Sequence, residues 1–335
     1  MLKFEKMTFD DFLKEWNSSC PTLTIQTSGS TGEPKKIIVE KAQMLASARM
    51  TCDTLNLKKG DTALLCMPIE YIAGKMMIIR SIERCMNLLC IPPCSNPLRQ
   101  FIGSKQQIDF AAFVPLQIAK ILEHEEEKHL LAKIGIILIG GGTIDKHIED
   151  ELKNFPNQIY ATYGMTETLS HIALRRISGE SASQWYTPMP QVYVKLSEDH
   201  TLIITAPHLS ITSLQTNDIA ELNDNGQFRI LGRIDNTINT GGIKIQIEDL
   251  ENLLHRTGLT DFMITSISDK TFGEAIVLLT LAQSTARIEA AIATLPKYWK
   301  PKHIIEIQDI PLTETGKPNR AEAKRIANKL INKRL

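Results

Sequence analysis

Residues 27–35 read Thr-Ser-Gly-Ser-Thr-Gly-Glu-Pro-Lys. They lie between two apolar runs, Leu23-Thr24-Ile25 and Ile37-Ile38-Val39. That pattern predicts a loop joining two strands. Backbone N–H groups around Gly29 and Gly32, with the hydroxyls of Thr27, Ser28, Ser30 and Thr31, can wrap a phosphate, and Lys35 can neutralise its charge. A plain Gly/Ser/Thr turn has the same composition. A Walker A loop is excluded, because Gly29 and Gly32 stand too close together and Lys35 follows a proline instead of a glycine.

The chain around this loop has 335 residues, enough for a large core and two domains. Its 43% apolar and 23% charged content is that of a globular protein. A formal net charge of zero removes any global attraction to nucleic acid or an anionic membrane, so neither is expected as a partner. The first residues, MLKFEKMTFDDFLKEW, lack the apolar core of a signal peptide, and the most apolar stretches, such as Ile134–Ile139, are strand-sized. A cytoplasmic protein is the expectation. The six cysteines, Cys20, Cys52, Cys66, Cys85, Cys90 and Cys94, form no C-x-x-C pair and read as reduced, largely buried thiols.

From about 22 to 162, short apolar runs alternate with amphipathic segments. Thr62–Met67, Asn87–Ile91, Phe110–Val114, Ile134–Ile139 and Gln158–Thr162 read as strands, with helices over Ile72–Arg84 and Leu116–His124 and another starting near Ile144. Alternation of this kind predicts a parallel sheet flanked by helices, whose ligands sit beyond the carboxyl ends of the strands. Gly140, Gly141 and Gly142 fall at one such end, and Tyr163 with Gly164 at another. From about 185 to 232 the runs are short, β-rich and separated by polar turns, which predicts a small antiparallel unit. A boundary follows near Gly232-Arg233-Ile234-Asp235, and the remainder reads as an α+β domain of ordinary size. The expected fold class is therefore α/β. Residues 1–232 form a large domain of mainly parallel sheet plus an antiparallel unit, and residues 233–335 form a small C-terminal domain.

Four further constellations carry chemistry. Tyr163-Gly164-Met165-Thr166-Glu167-Thr168 offers a ring that can stack on a base, a glycine for close approach, and a carboxylate, Glu167, that can hold a hard cation such as Mg²⁺. A helix start with Thr166 as N-cap is the plainer reading. Asp218, placed between β runs, can accept hydrogen bonds from ribose hydroxyls, and Arg233 can meet phosphate or ribose oxygens. A turn aspartate and a surface arginine fit as well. Gly241 and Gly242, ahead of Lys244, form a loop that a cofactor chain could pass closely, or a simple turn. Lys317 closes Pro311-Leu312-Thr313-Glu314-Thr315-Gly316-Lys317, a loop in which a lysine is ordinarily solvated.

Taken together and in order, T-S-G-S-T-G-x-P-K, Y-G-M-T-E, T-x-D, G-R-x-D, T-G-G-x-K-I and P-x-T-x-x-G-K resemble the signatures of the adenylate-forming superfamily, which includes acyl-CoA synthetases, luciferases and adenylation domains. The motifs span residues 27–318. The resemblance implies ATP, Mg²⁺ and CoA as co-substrates or cofactor, and a small carboxylic acid as partner. It implies phosphate binding by the 27–35 loop, nucleotide contacts from Gly140, Gly141, Tyr163, Gly164, Asp218 and Arg233, and Mg²⁺ at Glu167 beside Thr166. Lys317 would act on the reacting carboxylate and α-phosphate. Asp235 would be the hinge of a mobile C-terminal domain, and the loop of Gly241, Gly242 and Lys244 would serve the CoA step.

The strings Met67–Met77, Glu167–Arg175, Leu214–Asp218 and Asn239–Lys244 resemble 2-succinylbenzoate–CoA ligases of menaquinone biosynthesis, in their short form. Tyr71, Gly74, Lys75, Ser170 and His171 are then acyl-pocket candidates. Arg80, Lys75, Ser170 and His171 compete for a second substrate carboxylate, and the sequence does not rank them. A buried-core role for Tyr71, Met76 and Met77, and a helix-surface role for His171, are the plainer alternatives. Only 26 residues precede Thr27, where family members carry a further subdomain. That predicts a pocket short of one wall, covered by a second copy in a homo-oligomer. Activation of another aryl or acyl acid, or nucleotide binding without catalysis, stand as rivals.

Overall fold

The computed structural model describes residues 7–26, 36–313 and 317–332. The loop 27–35 and residues 314–316 lie outside the described residues. Helix α1, Phe9–Asn17, opens on a capping box between Thr8 and Asp11. Strands β1, Thr22–Gln26, and β2, Lys36–Glu40, form an antiparallel ribbon of their own instead of joining the parallel sheet, in the register Leu23↔Val39 and Ile25↔Ile37. The alternation that starts at residue 22 therefore belongs to the main sheet only from β3 onward.

Helix α2, Lys41–Thr54, leads to β3, Thr62–Leu65. Then come α3, Ile72–Arg84, β4, Asn87–Cys90, and β5, Phe110–Phe113. Helices α4, Pro115–Leu122, and α5, Glu125–Leu131, precede β6, Ile136–Ile139; α6, Lys146–Leu152, precedes β7, Gln158–Gly164. Strands β8, His171–Arg176, and β9, Thr187–Pro188, complete a sheet in the order β4-β3-β5-β6-β7-β8-β9. The pairs from β4 to β7 are parallel, and β8 and β9 are added antiparallel. Apolar residues on both faces of β5 and β6 explain why the sheet needs two helical layers. Helices α1 to α3 and their neighbours bury Phe12, Met44, Met76 and Ile79 on one face, and α4 to α6 bury Ile118, Leu131 and Leu152 on the other.

The antiparallel unit is a meander of β10, Tyr193–Leu196, β11, Thr201–Ala206, β12, Ile211–Leu222, and β13, Phe228–Arg233. Asp218 is not between strands, as the sequence suggested. It lies inside β12, opposite Arg233 of β13. The run Gln215-Thr216-Asn217 hides the strand because it breaks the apolar alternation.

Beyond a short 3₁₀ turn at Ile234–Asn236, the C-terminal unit comprises β14, Thr237–Thr240, β15, Ile243–Gln246, and α7, Ile247–Arg256. Strands β16, Phe262–Asp269, and β17, Gly273–Thr280, helix α8, Thr285–Ala293, strand β18, His303–Glu306, and helix α9, Arg320–Asn332, complete it. Its sheet carries α7 and α8 on one side, burying Leu250, Leu254 and Ile288, and α9 on the other, burying Ala323 and Ala327. No helix among the described residues is long and apolar enough to cross a membrane.

The cysteines depart from expectation. Cys52 and Cys66 are buried, but Cys20, Cys85, Cys90 and Cys94 are exposed. They sit on connections and at edges of elements, where apolar neighbours do not enclose them.

Two glycines set how closely elements approach. A Cβ on Gly74 would stand 2.3 Å from the carbonyl oxygen of Pro68, which fixes the first turn of α3 against the segment after β3. A Cβ on Gly164 would stand 2.2 Å from the carbonyl oxygen of Ser170, which lets β7 turn directly back into β8. The obstacle is backbone in each case, so no side-chain rotation relieves it. Gly74→Ala is expected to destabilise the protein by about 1–3 kcal/mol, the usual cost of overpacking, seen as a lowered Tm in calorimetry.

Candidate active site

The carboxyl ends of β3, β5, β6 and β7 open onto a cavity of about 350 Å³. Its walls include Met67 and Pro68 after β3, Phe113, Val114 and Leu116 at and beyond the end of β5, Gly140 and Gly141 after β6, and Thr162, Gly164 and Thr166 at and beyond the end of β7. Tyr71, Arg80, Ser170, His171 and Lys317 also face it. Two glycines make room at the sheet end. A Cβ on Gly140 would meet the Thr162 hydroxyl at 2.3 Å, and Gly141 adopts φ +85°. Lys317 reaches in from the loop before α9, where its Cε lies 3.9 Å from a Cβ built on Gly141. The loop is held by Thr313 N–H donating to the Lys317 carbonyl at 2.8 Å and Lys317 N–H donating to the Thr313 hydroxyl at 3.1 Å. Burial, helped by the positive charge of Arg233, pushes the Lys317 ammonium below its ordinary range. An ammonium so placed gains from any anion that enters.

Arg80 is the most unusual group in the cavity. It is 3% exposed. One Nη donates to the Ser170 hydroxyl at 2.5 Å, the other approaches the Met77 sulfur at 3.8 Å, and Nε has no partner. Among the described residues no carboxylate pairs with it. Burial pushes the guanidinium down to about 10. A buried cation without a counter-charge is costly and marks a place built for an anion.

His171 is buried too, with Nε2 3.1 Å from the Thr51 hydroxyl and Nδ1 3.3 Å from the Ser170 hydroxyl. Burial first, and the Arg80 charge second, hold it well below the ordinary histidine range, so it is neutral. It is therefore not a helix-surface residue but the first residue of β8. Nor does Thr166 cap a helix. Thr166–Thr168 is a single 3₁₀ turn, ended by Leu169 at φ +62°. The Thr168 hydroxyl donates to the Ser170 carbonyl at 2.7 Å, and this turns the chain into β8 before a second helical turn can form.

Lys75 does not face the cavity. Five residues on a helix turn through about 140° relative to Arg80, so it points to the opposite side of α3. There its ammonium donates to the Ile69 carbonyl at 2.7 Å and lies 5.2 Å from the Phe12 ring centre. Gly74 serves the close approach described above.

Beside the cavity is a second cluster. Tyr163 donates to Asp218 at 2.6 Å, and Arg233 donates to Asp218 at 3.0 Å. Arg233 also makes two 2.8 Å bonds to Asp235, which accepts from Asn217 at 3.3 Å. Burial, and then the Asp218 charge, push the Tyr163 phenol up. Its ring packs edge-on against Phe228 at 5.1 Å. Sequence inspection missed this aromatic support from Phe228 and Tyr186, which stand far apart in the chain. Glu167 is exposed, and among the described residues no group of three His, Cys, Asp or Glu could hold a metal ion. A lone carboxylate still suits Mg²⁺, which keeps waters and draws its other ligands from substrate phosphates. Gly241, Gly242 and Lys244 are exposed at the β14–β15 turn, away from the cavity. The loop of Thr27, Ser28, Gly29, Ser30, Thr31, Gly32 and Lys35 lies outside the described residues; of its flanking strands, β1 reaches the cavity at its last residue, Gln26.

A cavity at the carboxyl ends of a parallel sheet, two adjacent glycines and an entering lysine are features of a nucleotide-dependent enzyme. The chain belongs to the AMP-binding enzyme family, whose model matches residues 11–208. It is similar to a 2-succinylbenzoate–CoA ligase of Bacillus cereus, 24% identical over 91% of this chain and 70% of that protein. Among solved structures it resembles an acyl-CoA synthetase (AMP-forming)/AMP-acid ligase II-like protein from Dyadobacter fermentans, at 33% identity and TM-score 0.63, covering 93% of this chain and 91% of that one. Its fold is also similar to an O-succinylbenzoate coenzyme A synthetase (MenE) from Bacillus subtilis solved with ATP and magnesium ion, at 20% identity and TM-score 0.73, covering 89% and 69%.

The unpaired guanidinium leads to a stability test. Arg80→Met replaces a buried cation by an apolar chain of similar length. It is expected to leave the ligand-free protein as stable or more stable, by up to about 4 kcal/mol, as when buried charges give way to packed apolar groups. A raised or unchanged Tm in calorimetry fits; a Tm lowered by many degrees would mean that Arg80 is paired in the native protein.

Proposed function

We propose that this chain is an AMP-forming acid–CoA ligase whose acid is 2-succinylbenzoate. The observation that supports the substrate best is Arg80, a buried cation that has no carboxylate partner among the described residues and lines the cavity that also receives Lys317. An acid with an apolar body and two carboxylates matches two cations on a largely apolar lining. We divide the chain after residue 232, with Asp235 as the hinge.

In the first half-reaction the substrate carboxylate oxygen attacks the α-phosphorus of ATP. The bond from the α-phosphorus to the bridging oxygen breaks, and pyrophosphate leaves with that electron pair. Lys317 offsets charge on the attacking carboxylate and the α-phosphate oxygens. Its lowered ammonium range reflects a site poor in water, where such an interaction is strong. Arg80 binds the carboxylate that is not activated and fixes the acid's direction in the cavity. Gly140 and Gly141 admit the nucleotide to the sheet end. Asp218, oriented by Tyr163 and Arg233, accepts from ribose hydroxyls. The 27–35 loop takes the outgoing phosphates. Glu167, together with those phosphates, would hold Mg²⁺, which would supply charge neutralisation. In the second half-reaction the CoA sulfur attacks the acyl carbonyl, AMP leaves, and the thiol proton is released. The loop of Gly241, Gly242 and Lys244 serves this step after rotation of the C-terminal domain.

Incubation with 2-succinylbenzoate, ATP and CoA should yield the CoA thioester by mass spectrometry together with AMP; absence of the thioester, with turnover of a different acid in a panel, refutes the substrate. Lys317→Ala should slow pyrophosphate release by ~10²–10³, the loss typical of one preorganised donor. It should leave thioester formation from supplied acyl-adenylate much less affected. Normal pyrophosphate release in that variant would remove Lys317 from the first step.

A further inference from the structure

From Arg80 a chain of polar groups runs along the cavity wall through Ser170 and His171 and leaves it at Thr51 in α2. Arg80 Nη2 donates to Ser170 Oγ at 2.5 Å. Ser170 Oγ lies 3.3 Å from His171 Nδ1, and His171 Nε2 lies 3.1 Å from Thr51 Oγ1. Thr51 Oγ1 lies 3.1 Å from the Ser47 carbonyl, one turn back on the same helix. Thr51 is fully buried and does not line the cavity.

The protons in this chain can be ordered by counting donors and acceptors. A guanidinium only donates, so Ser170 Oγ accepts from Arg80. The Ser170 proton then has His171 Nδ1 as its acceptor. With Nδ1 bare, the neutral ring carries its proton on Nε2 and donates it to Thr51 Oγ1. The Thr51 proton goes to the Ser47 carbonyl, which can only accept. The reverse order would point a ring N–H at Ser170 and leave the serine proton without an acceptor among these groups. One direction therefore satisfies every member from Ser170 to Ser47, and it fixes which lone pair of Ser170 faces Arg80.

We propose that Thr51, acting through His171 and Ser170, is a positioning residue that aims the Arg80 guanidinium at the substrate's non-activated carboxylate and so sets the preference for dicarboxylate acids. This rests on the dicarboxylate reading above. Arg80 has a long, rotatable stem and, among the described residues, only a hydroxyl and a thioether for partners, so its direction depends on how firmly that hydroxyl is held. Thr51 ties it to a helix that packs on α3 but contributes nothing to the cavity wall.

Thr51→Val keeps the shape and removes the hydroxyl, whereas Thr51→Ser keeps the hydroxyl. With 2-succinylbenzoate, Thr51→Val should raise KM by roughly three- to tenfold, the worth of one lost hydrogen bond, with kcat within about twofold. KM for 3-benzoylpropanoate, which lacks the ring carboxylate, should not move, and Thr51→Ser should restore the parent KM. An equal change for both acids, or none for either, overturns the proposal. A second measurement needs no substrate and reads the parent protein itself. Nitrogen-15 NMR of the histidine rings, with His171 assigned by its missing signals in His171→Gln, should report the neutral Nε2–H tautomer at pH 7. An Nδ1–H tautomer or an imidazolium overturns the relay. If the parent makes no thioester from 2-succinylbenzoate, the substrate reading fails while the tautomer still judges the relay.

Discussion

A buried guanidinium stands in the wall of this molecule's cavity, and among the described residues no carboxylate answers it. Much of the site's architecture serves to keep Arg80 there. An isolated buried cation would ordinarily lose its proton, gain a partner or swing to solvent. Arg80 does none of these, because α3 is pinned at its start and the β7–β8 turn is pinned below it. Gly74 lets α3 lie directly on the Pro68 carbonyl, and Gly164 lets β7 fold back onto the Ser170 carbonyl. These two close approaches bring the guanidinium and the Ser170 hydroxyl within 2.5 Å. A bulkier residue at either glycine would push one partner away and leave the cation with less still.

The nucleotide side is organised by the opposite device. Asp218 is 8% exposed, and Tyr163 and Arg233 both donate to it. Arg233 is shared with Asp235, so the group that stabilises the carboxylate also grips the first residues of the C-terminal unit. Lys317 feels the same arginine as a repulsion. Arg233 is answered by two carboxylates, whereas Lys317 and Arg80 have none among the described residues, and theirs are the charges that a polyphosphate and a dicarboxylate would neutralise.

What was legible in the sequence followed from pattern and spacing. The helix over Ile72–Arg84, the glycine-bearing strand end at Gly140–Gly142 and the strands flanking residues 27–35 are written in apolar periodicity and turn chemistry. What was not legible depended on partners distant in the chain. β12 reads as interrupted because Gln215-Thr216-Asn217 breaks the apolar alternation, and the partner that satisfies the Thr216 hydroxyl inside the strand, the Leu202 carbonyl, lies 14 residues away. His171 follows a threonine-rich stretch that resembles a helix start, and only the Thr168 to Ser170 hydrogen bond turns it into a strand. Thr51 carries no signal at all, since a threonine inside an amphipathic helix is unremarkable until His171, 120 residues later, lands on it.

Lys75 and Arg80 show why residue type alone could not rank the site. Both are buried cations on α3, five positions apart, and either could have met a second carboxylate. Helical geometry separates them by about 140°, and their surroundings then give them opposite roles. Lys75 finds a carbonyl at 2.7 Å and the face of Phe12, so its charge is spent inside the fold. Arg80 finds a hydroxyl and a sulfur, which leave its Nε without a partner. A compact ammonium is satisfied by one or two acceptors, while a planar fork with five donors is not. The larger donor set is on the side of the helix that has fewer acceptors, and the difference is what an entering carboxylate would supply.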